Sequence, residues 1–292
     1  MSADLAYASL TGLAVGDAFG AQILMPGDHP SILERRLPAA PWQWTDDTLM
    51  ACSLVSVLAR HGHVDQNALA ADFAARYDAD RGYGSGVSRL LNQIRGGQPW
   101  QQLTAAAFGG KGSWGNGAAM RVAPLGAWFC HDLPQVLRQA ELSAVVTHSH
   151  LDGVAGAVAV AAAAALTASG LRGPAVLEQV VPLVPPGEVR TRLGKALKLV
   201  HADPRDAADE LGIGREVAAH DTVPLALWIA CTAPSYVDAL WTVARLAEDV
   251  DTVGAIVGGV LGAGSAPIPG EWLAACEPLP AWLPGNSGRL GA

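Results

Sequence analysis

Charge is scarce in this chain: only 16% of its 292 residues are Asp, Glu, Lys or Arg. Lys and Arg total 19 against 27 acids, a formal charge of -8, which works against a charge-driven grip on nucleic acid, because that affinity comes from neutralising phosphates with cations. The four cysteines, Cys52, Cys130, Cys231 and Cys276, form no CxxC or CxxH pair. A disulfide framework and a zinc cage are thereby unsupported, and a reducing, cytoplasmic setting is expected. Residues 1–11 contain no Lys or Arg and carry Asp4, the wrong charge for the start of a secretory signal. The most apolar run, 154–168, falls short of the roughly 18 residues a membrane helix needs and is mostly Ala. It reads as a buried helix, and no membrane association is expected. No convincing alternating strand pattern is present.

Half of the residues are hydrophobic and 33 are Gly, enough apolar material for a sizeable core, with small side chains that let helices approach closely. Runs at 46–61, 152–169 and 252–263 are apolar nearly all round the helical wheel and predict core helices. Amphipathic helices are predicted at 64–76, 133–146, 175–184, 189–200 and 235–246. Gly- or Pro-rich breaks fall at 26–41, 81–86, 96–99, 109–117 and 171–174. With no composition shift and no fixed repeat, the expectation is one all-α domain over residues 1–292, with a Pro-rich irregular tail from about 265.

Two acidic groups precede two of the apolar helices. Thr45-Asp46-Asp47-Thr48 stands directly before the first, and Glu248-Asp249-Val250-Asp251-Thr252 before the last. Thr and Asp are ordinary helix caps, and carboxylates suit the positive end of the helix dipole. Adjacent carboxylates exceed what capping requires, and a hard cation taking oxygen ligands would relieve their repulsion. If the helix starts converge, the combined set suits one or two Mg²⁺ or Mn²⁺ ions better than Zn²⁺. By spacing alone, capping and metal binding both fit. Asp17 fits equally a cap or turn of the first helix and a metal contact.

The segment from Gly109 to Gly117 contains a formal GxGxxG, but no strand precedes it, so a dinucleotide-binding βαβ unit is rejected. What remains is a loop whose backbone amides could approach a phosphate or sugar, with Trp114 available to cover an apolar face. His148 and His150 open the Ala-rich helix at a spacing that favours separate roles. Arg121 reads as a loop-stabilising residue.

Taken together, ordered motifs resemble the ADP-ribosylglycohydrolase family. They are Gly12-Leu13-Ala14-Val15-Gly16-Asp17-Ala18-Phe19-Gly20, Trp44-Thr45-Asp46-Asp47-Thr48, Arg81-Gly82-Tyr83-Gly84, Gly115-Asn116-Gly117 running through Met120-Arg121 to Leu125, Thr147-His148-Ser149-His150, and Asp249-Val250-Asp251-Thr252-Val253-Gly254-Ala255-Ile256. The resemblance implies a compact, orthogonal multi-helix all-α fold and two Mg²⁺ or Mn²⁺ ions held by Thr45, Asp46, Asp47, Asp249, Asp251 and Thr252. It implies that Ser113, Trp114, Gly115, Asn116, Met120 and His148 line an ADP-ribose cleft. The implied reaction is hydrolysis of the N- or O-glycosidic bond between ADP-ribose and an acceptor on a protein or small molecule, with Asp46 and Asp47 catalytic.

One departure bears on that chemistry. The family usually has Glu four positions beyond the last Gly of the first motif; here that position is Leu24, which neither binds metal nor transfers a proton. Glu34, in the following loop, is the acid expected to take its place. The alternative is a catalytically weakened ADP-ribose or nucleotide binding protein on the same fold. Milder departures are Ala247-Glu248 in place of Gly-Gly and Val250 in place of Thr.

Overall fold

A computed structural model describes residues 2–285 and is all-α, as the sequence predicts, with sixteen α-helices and no strand among the described residues. Among the described residues, extended pairing is limited to the isolated bridges Trp42–Cys276 and Gly115–Ala218. The predicted helix at 46–61 is present residue for residue as Asp46–His61. Its limits have clear causes. Thr45 caps the start, with Oγ1 accepting from the Asp47 N–H at 3.3 Å, and Gly62 ends it in the left-handed region at φ 73°. Asp46 and Asp47 in the first turn and Arg60 and His61 in the last complement the dipole.

Leu151–Ala168 reaches 18 residues, longer than the run read as too short, and is apolar enough to cross a membrane by length and composition. It is instead a core helix, with 72% of it buried inside the protein. Pattern reading overlooks the helix Ala219–Thr232, which is buried almost throughout and contains Pro224, so it offers neither an amphipathic period nor good helix propensity. Predicted helix 175–184 stops early: Pro174–Val180 passes into a single 3₁₀ turn, Val181–Leu183, at Pro182. The tail from 265 is not wholly irregular. It forms a short helix, Gly270–Ala275, whose Trp272 is buried against Phe19 and Trp42. Residues 286–292 of that predicted tail lie outside the described residues.

The organising contact joins the N-terminal helix, Ser2–Ala21, to the glycine-rich helix, Val250–Ala263. Glycines four apart on each face the other's backbone. A β-carbon at Gly16 would lie 2.1 Å from Gly254 O, one at Gly12 2.3 Å from Gly258 O, and one at Gly258 2.2 Å from Gly12 O. Tyr236 and Ser9 seal the contact, donating from their hydroxyls to Gly12 O at 2.6 Å and Gly259 O at 2.7 Å. The consequence for function is positional: Gly20 packs on Val250 O and Asp251 Cα, so Asp17, one turn earlier, is held beside the start of the opposite helix.

Gly16→Ala or Gly258→Ala must push two backbones apart and is expected to cost about 3 kcal/mol. Gly194→Ala, at a helical site with open space around it, should instead stabilise by about 0.5–1 kcal/mol. Denaturant unfolding of the three variants checks both signs.

Candidate active site

The two acid-bearing helix starts converge. Asp17, Asp47 and Asp251 place one carboxylate oxygen each within 4.8 Å of one another, and Asp46 and Asp249 are near enough to act electrostatically on Asp47. Thr45 and Thr252 stand in the same group: Thr45 Oγ1 is 3.0 Å from Asp47 Oδ2, and the Thr252 N–H donates to Asp251 Oδ1 at 2.9 Å. The two acidic segments, far apart in sequence, thus lie side by side.

Asp17, left open by the sequence, proves central. It lies inside its own helix and caps another. Its carboxylate accepts from the backbone N–H groups of Thr45 and Thr48 at about 3 Å, from Thr45 Oγ1 at 2.9 Å and from Thr48 Oγ1 at 2.5 Å. The carboxylate thereby satisfies free amides at the start of Asp46–His61 from outside that helix. With both of its oxygens so engaged, Asp17 reads as a support for the acidic group more than a ligand within it. Asp47 is the opposite case: its Oδ1 is buried with no hydrogen-bond partner. A buried lone carboxylate oxygen facing other carboxylates is a costly arrangement that a hard cation relieves, and the all-oxygen donor set fits Mg²⁺ or Mn²⁺.

Burial, then the neighbouring acids, raises the carboxyl of Asp17 to about 7, with Asp251 the principal neighbour. Burial followed by Asp17 and Asp251 raises Asp46 to about 8, and burial and Asp251 raise Asp249 to about 7. Burial and the charges of Asp17 and Asp46 hold Asp47 well above the usual carboxylate range. Without a cation, these groups favour their neutral forms.

Other contacts aim the acids. Arg81, from the RGYG loop, donates from Nη1 to Trp44 O at 2.8 Å, stacks over the Trp44 ring, and makes a two-point pair with Glu277. The residue just before Thr45 is thus braced by the C-terminal segment. Asn116 donates from Nδ2 to Asp249 Oδ2 at 2.6 Å and to Thr222 Oγ1 at 3.0 Å. Expected to line the ligand cleft, it is buried here, and its side-chain amide holds Asp249.

The glycine-rich loop borders the acids. Trp114 and Ser113 are partly open, and the loop is tied down by Asn116 N–H to Val217 O (3.1 Å) and Ala219 N–H to Trp114 O (3.0 Å). Gly115 packs on the buried His148 ring. Met120, also expected in the cleft, belongs to the hydrophobic core. Pattern reading missed Phe108, an exposed ring in the left-handed region at φ 51° whose centroid is 4.8 Å from that of Trp114. An aromatic two residues before Gly110 carries no signal without the fold.

Glu34 does not join the acids. It ends the short helix Pro30–Leu33, is exposed, and pairs with Arg36 at 2.8 Å. Leu24 is 89% exposed. The loop bearing both is fastened outward by Asp28 to Arg205 and Arg245 and by Arg35 to Asp238.

The raised carboxyl values have a definite sign. Folding binds protons at Asp17, Asp46 and Asp249, so their contribution to stability is full below about pH 4 and is lost as pH rises through 7 to 8. His148 titrates in the other sense, because burial and Arg121 lower it to about 3, but its effect lies below its ordinary value of about 6.5. Metal-stripped protein should therefore melt progressively lower from pH 6.5 to 8, and millimolar Mg²⁺ or Mn²⁺ should raise the melting temperature most at pH 8. Scanning calorimetry across that range checks it; stability rising with pH in the stripped protein would contradict it.

Comparison with known proteins gives the family. Human ADP-ribosylhydrolase ARH3 is 30% identical over 273 residues, covering 80% of this chain and 74% of that protein. An uncharacterized protein of Archaeoglobus fulgidus is 30% identical over 287 residues, covering 90% and 88%. A solved structure described as an ADP-ribosylglycohydrolase-related protein complex superimposes with a TM-score of 0.74 at 27% identity, covering 94% of this chain and 93% of that one. The family model for ADP-ribosylglycohydrolase matches residues 2–290, and the chain belongs to the ADP-ribosylglycohydrolase family.

Proposed function

We propose that this protein is a Mg²⁺- or Mn²⁺-dependent hydrolase that releases ADP-ribose from a modified protein or small molecule by cleaving an N- or O-glycosidic bond. The observation that carries the reading is the buried, unpartnered Asp47 Oδ1 within a group of acids drawn from two helix starts, next to a glycine-rich loop with two exposed aromatic rings. Family membership and the resemblance to ARH3 support the reaction class.

Thr45, Asp46 and Asp47 from one side and Asp249, Asp251 and Thr252 from the other would hold up to two ions. When bound, such ions supply Lewis-acid polarisation and a water of lowered pKa. The chain's own residues do the remaining work. Asp17 holds Thr45 and Thr48 in place, and Asn116 fixes the orientation of Asp249. The Ser113–Asn116 backbone offers polar contacts to a ribose or phosphate, while Phe108 and Trp114 offer faces to a nucleobase. Asp46 and Asp47 are the carboxylates at hand to take the proton of the attacking water.

A second reading has a specific observation behind it. Leu24 is solvent-exposed and Glu34 is paired away from the acids, so the proton-transfer group the family usually carries has no substitute in that loop. On this reading the protein binds ADP-ribose with weak turnover.

Calorimetry with ADP-ribose and turnover assays on ADP-ribosylated arginine and serine peptides, with Mg²⁺ or Mn²⁺, separate the two. Hydrolysis lost by about 10²-fold or more in Asp47→Ala supports the enzyme. Tight binding without turnover supports the binder, and neither binding nor turnover removes both. Phe108→Ala and Trp114→Ala should each raise KM for the modified peptide by about 10-fold, the order expected for loss of a stacking contact, with kcat preserved; unchanged KM in both variants would place the nucleobase elsewhere.

A further inference from the structure

His148 sits beneath the glycine-rich loop in a setting that determines which ring nitrogen carries its proton. The ring is buried, and Nδ1 lies 2.7 Å from Thr147 Oγ1. Thr147 Oγ1 is in turn 3.0 Å from Arg121 Nη2. Arg121 is fully buried, and its guanidinium also donates to Gly117 O and Ser143 O at 2.9 Å. A guanidinium has donors only. Thr147 Oγ1 therefore accepts from Arg121, and its own single proton must find another acceptor. Among the described residues the one available is His148 Nδ1. The alternative, in which Nδ1 donates to Thr147, leaves the Thr147 proton buried without an acceptor, which costs free energy.

We infer that Arg121 and Thr147 are positioning residues that fix His148 as the neutral tautomer protonated at Nε2, a hydrogen-bond donor aimed at the inner face of the glycine-rich loop. The direction of the ring supports the second half of that statement. A β-carbon at Gly117 would lie 3.1 Å from Nε2, and one at Gly115 would lie 3.2 Å from it and 3.4 Å from Ser113 Oγ. Nε2 thus reaches the loop at its two close-packed glycines, on the same side as the Ser113 hydroxyl, and it has no hydrogen-bond partner among the described residues. Burial and the Arg121 charge also keep the ring neutral, lowering it to about 3. Arg121 ties both sides together: one end of its fork holds the loop through Gly117 O, and the other sets the proton on His148 through Thr147. An N–H in this place suits an acceptor oxygen of a ribose or phosphate.

The ligand part of this inference rests on the ADP-ribose reading above; the tautomer does not. Nitrogen NMR of the ¹⁵N-histidine-labelled, ligand-free protein at pH 7 should show a one-bond N–H coupling at Nε2 of His148 and none at Nδ1. A proton on Nδ1, or on both nitrogens, overturns the inference whatever the protein binds. Thr147→Val removes the relay at nearly constant volume and should give a mixture of tautomers, while Thr147→Ser restores the single form. With Mg²⁺ present, Thr147→Val should bind free ADP-ribose about 10-fold more weakly, the size of one hydrogen bond, with Mn²⁺ affinity unchanged. If the single Nε2–H tautomer persists in Thr147→Val, Thr147 does not set it. Wild-type protein that shows the Nε2–H tautomer yet ignores ADP-ribose removes the ligand reading and leaves the relay standing. Arg121→Lys, which keeps the charge and loses the fork, provides a second variant with the same expected direction.

Discussion

Backbone-to-backbone contact between Ser2–Ala21 and Val250–Ala263 is the constraint on which the remainder of the molecule depends. Gly12 and Gly16 meet Gly258 and Gly254 so closely that the carbonyl of each lies where a side chain would begin. Two segments some 230 residues apart are thereby held in one register, and that register brings Asp17 and Asp251 together. Helices separated by ordinary side chains stand about 8–10 Å apart; the glycines bring these two backbones closer than that. The glycines contribute little apolar area themselves; Phe19, Trp42, Trp241 and Trp272 pack as an aromatic group beside the end of the N-terminal helix and supply much of the burial there.

That close approach creates an electrostatic cost. Asp17, Asp46 and Asp47 are buried together with the half-buried Asp249 beside them, and all four resist ionisation. Part of the cost is offset by donors already in the fold: the amides and hydroxyls of Thr45 and Thr48 surround Asp17, and Asn116 serves Asp249. Asp47 Oδ1 receives no such donor. The fold thus supplies donors to Asp17 and Asp249 and leaves one buried oxygen of Asp47 open, an arrangement that packing requirements alone do not explain.

A basic residue organises the segment beside the glycine-rich loop. Arg121 is buried among carbonyls, the Thr147 hydroxyl and the Phe73 ring, with its Nε left unpaired. Burial lowers its guanidinium to about 9. A long cation kept inside the protein links the loop, through Gly117 O, to the end of the helix Leu133–Val145 and the Thr147 that follows it. By contrast, the loop carrying Leu24, Met25 and Leu33 is exposed and held by surface ion pairs, which salt screens and which contribute little.

Local chemistry was enough to specify several features from the sequence alone. The all-α class, the limits of Asp46–His61 and the acidic character of two helix starts follow from propensity, capping and the dipole, which act over a few neighbouring residues. The ordered motifs carried the family. Tertiary structure alone decided that Asp17 caps a helix other than its own, that Asn116 reaches Asp249, that Met120 lies in the core, that Glu34 is turned to Arg36, and that Phe108 joins Trp114. Ala219–Thr232 was hidden for the same reason: a helix buried on all sides has no polar face to mark its period. A side chain's partner depends on which distant backbone arrives beside it, and here that is set by glycine contacts between opposite ends of the chain, whose spacing is written in the sequence but whose pairing is not.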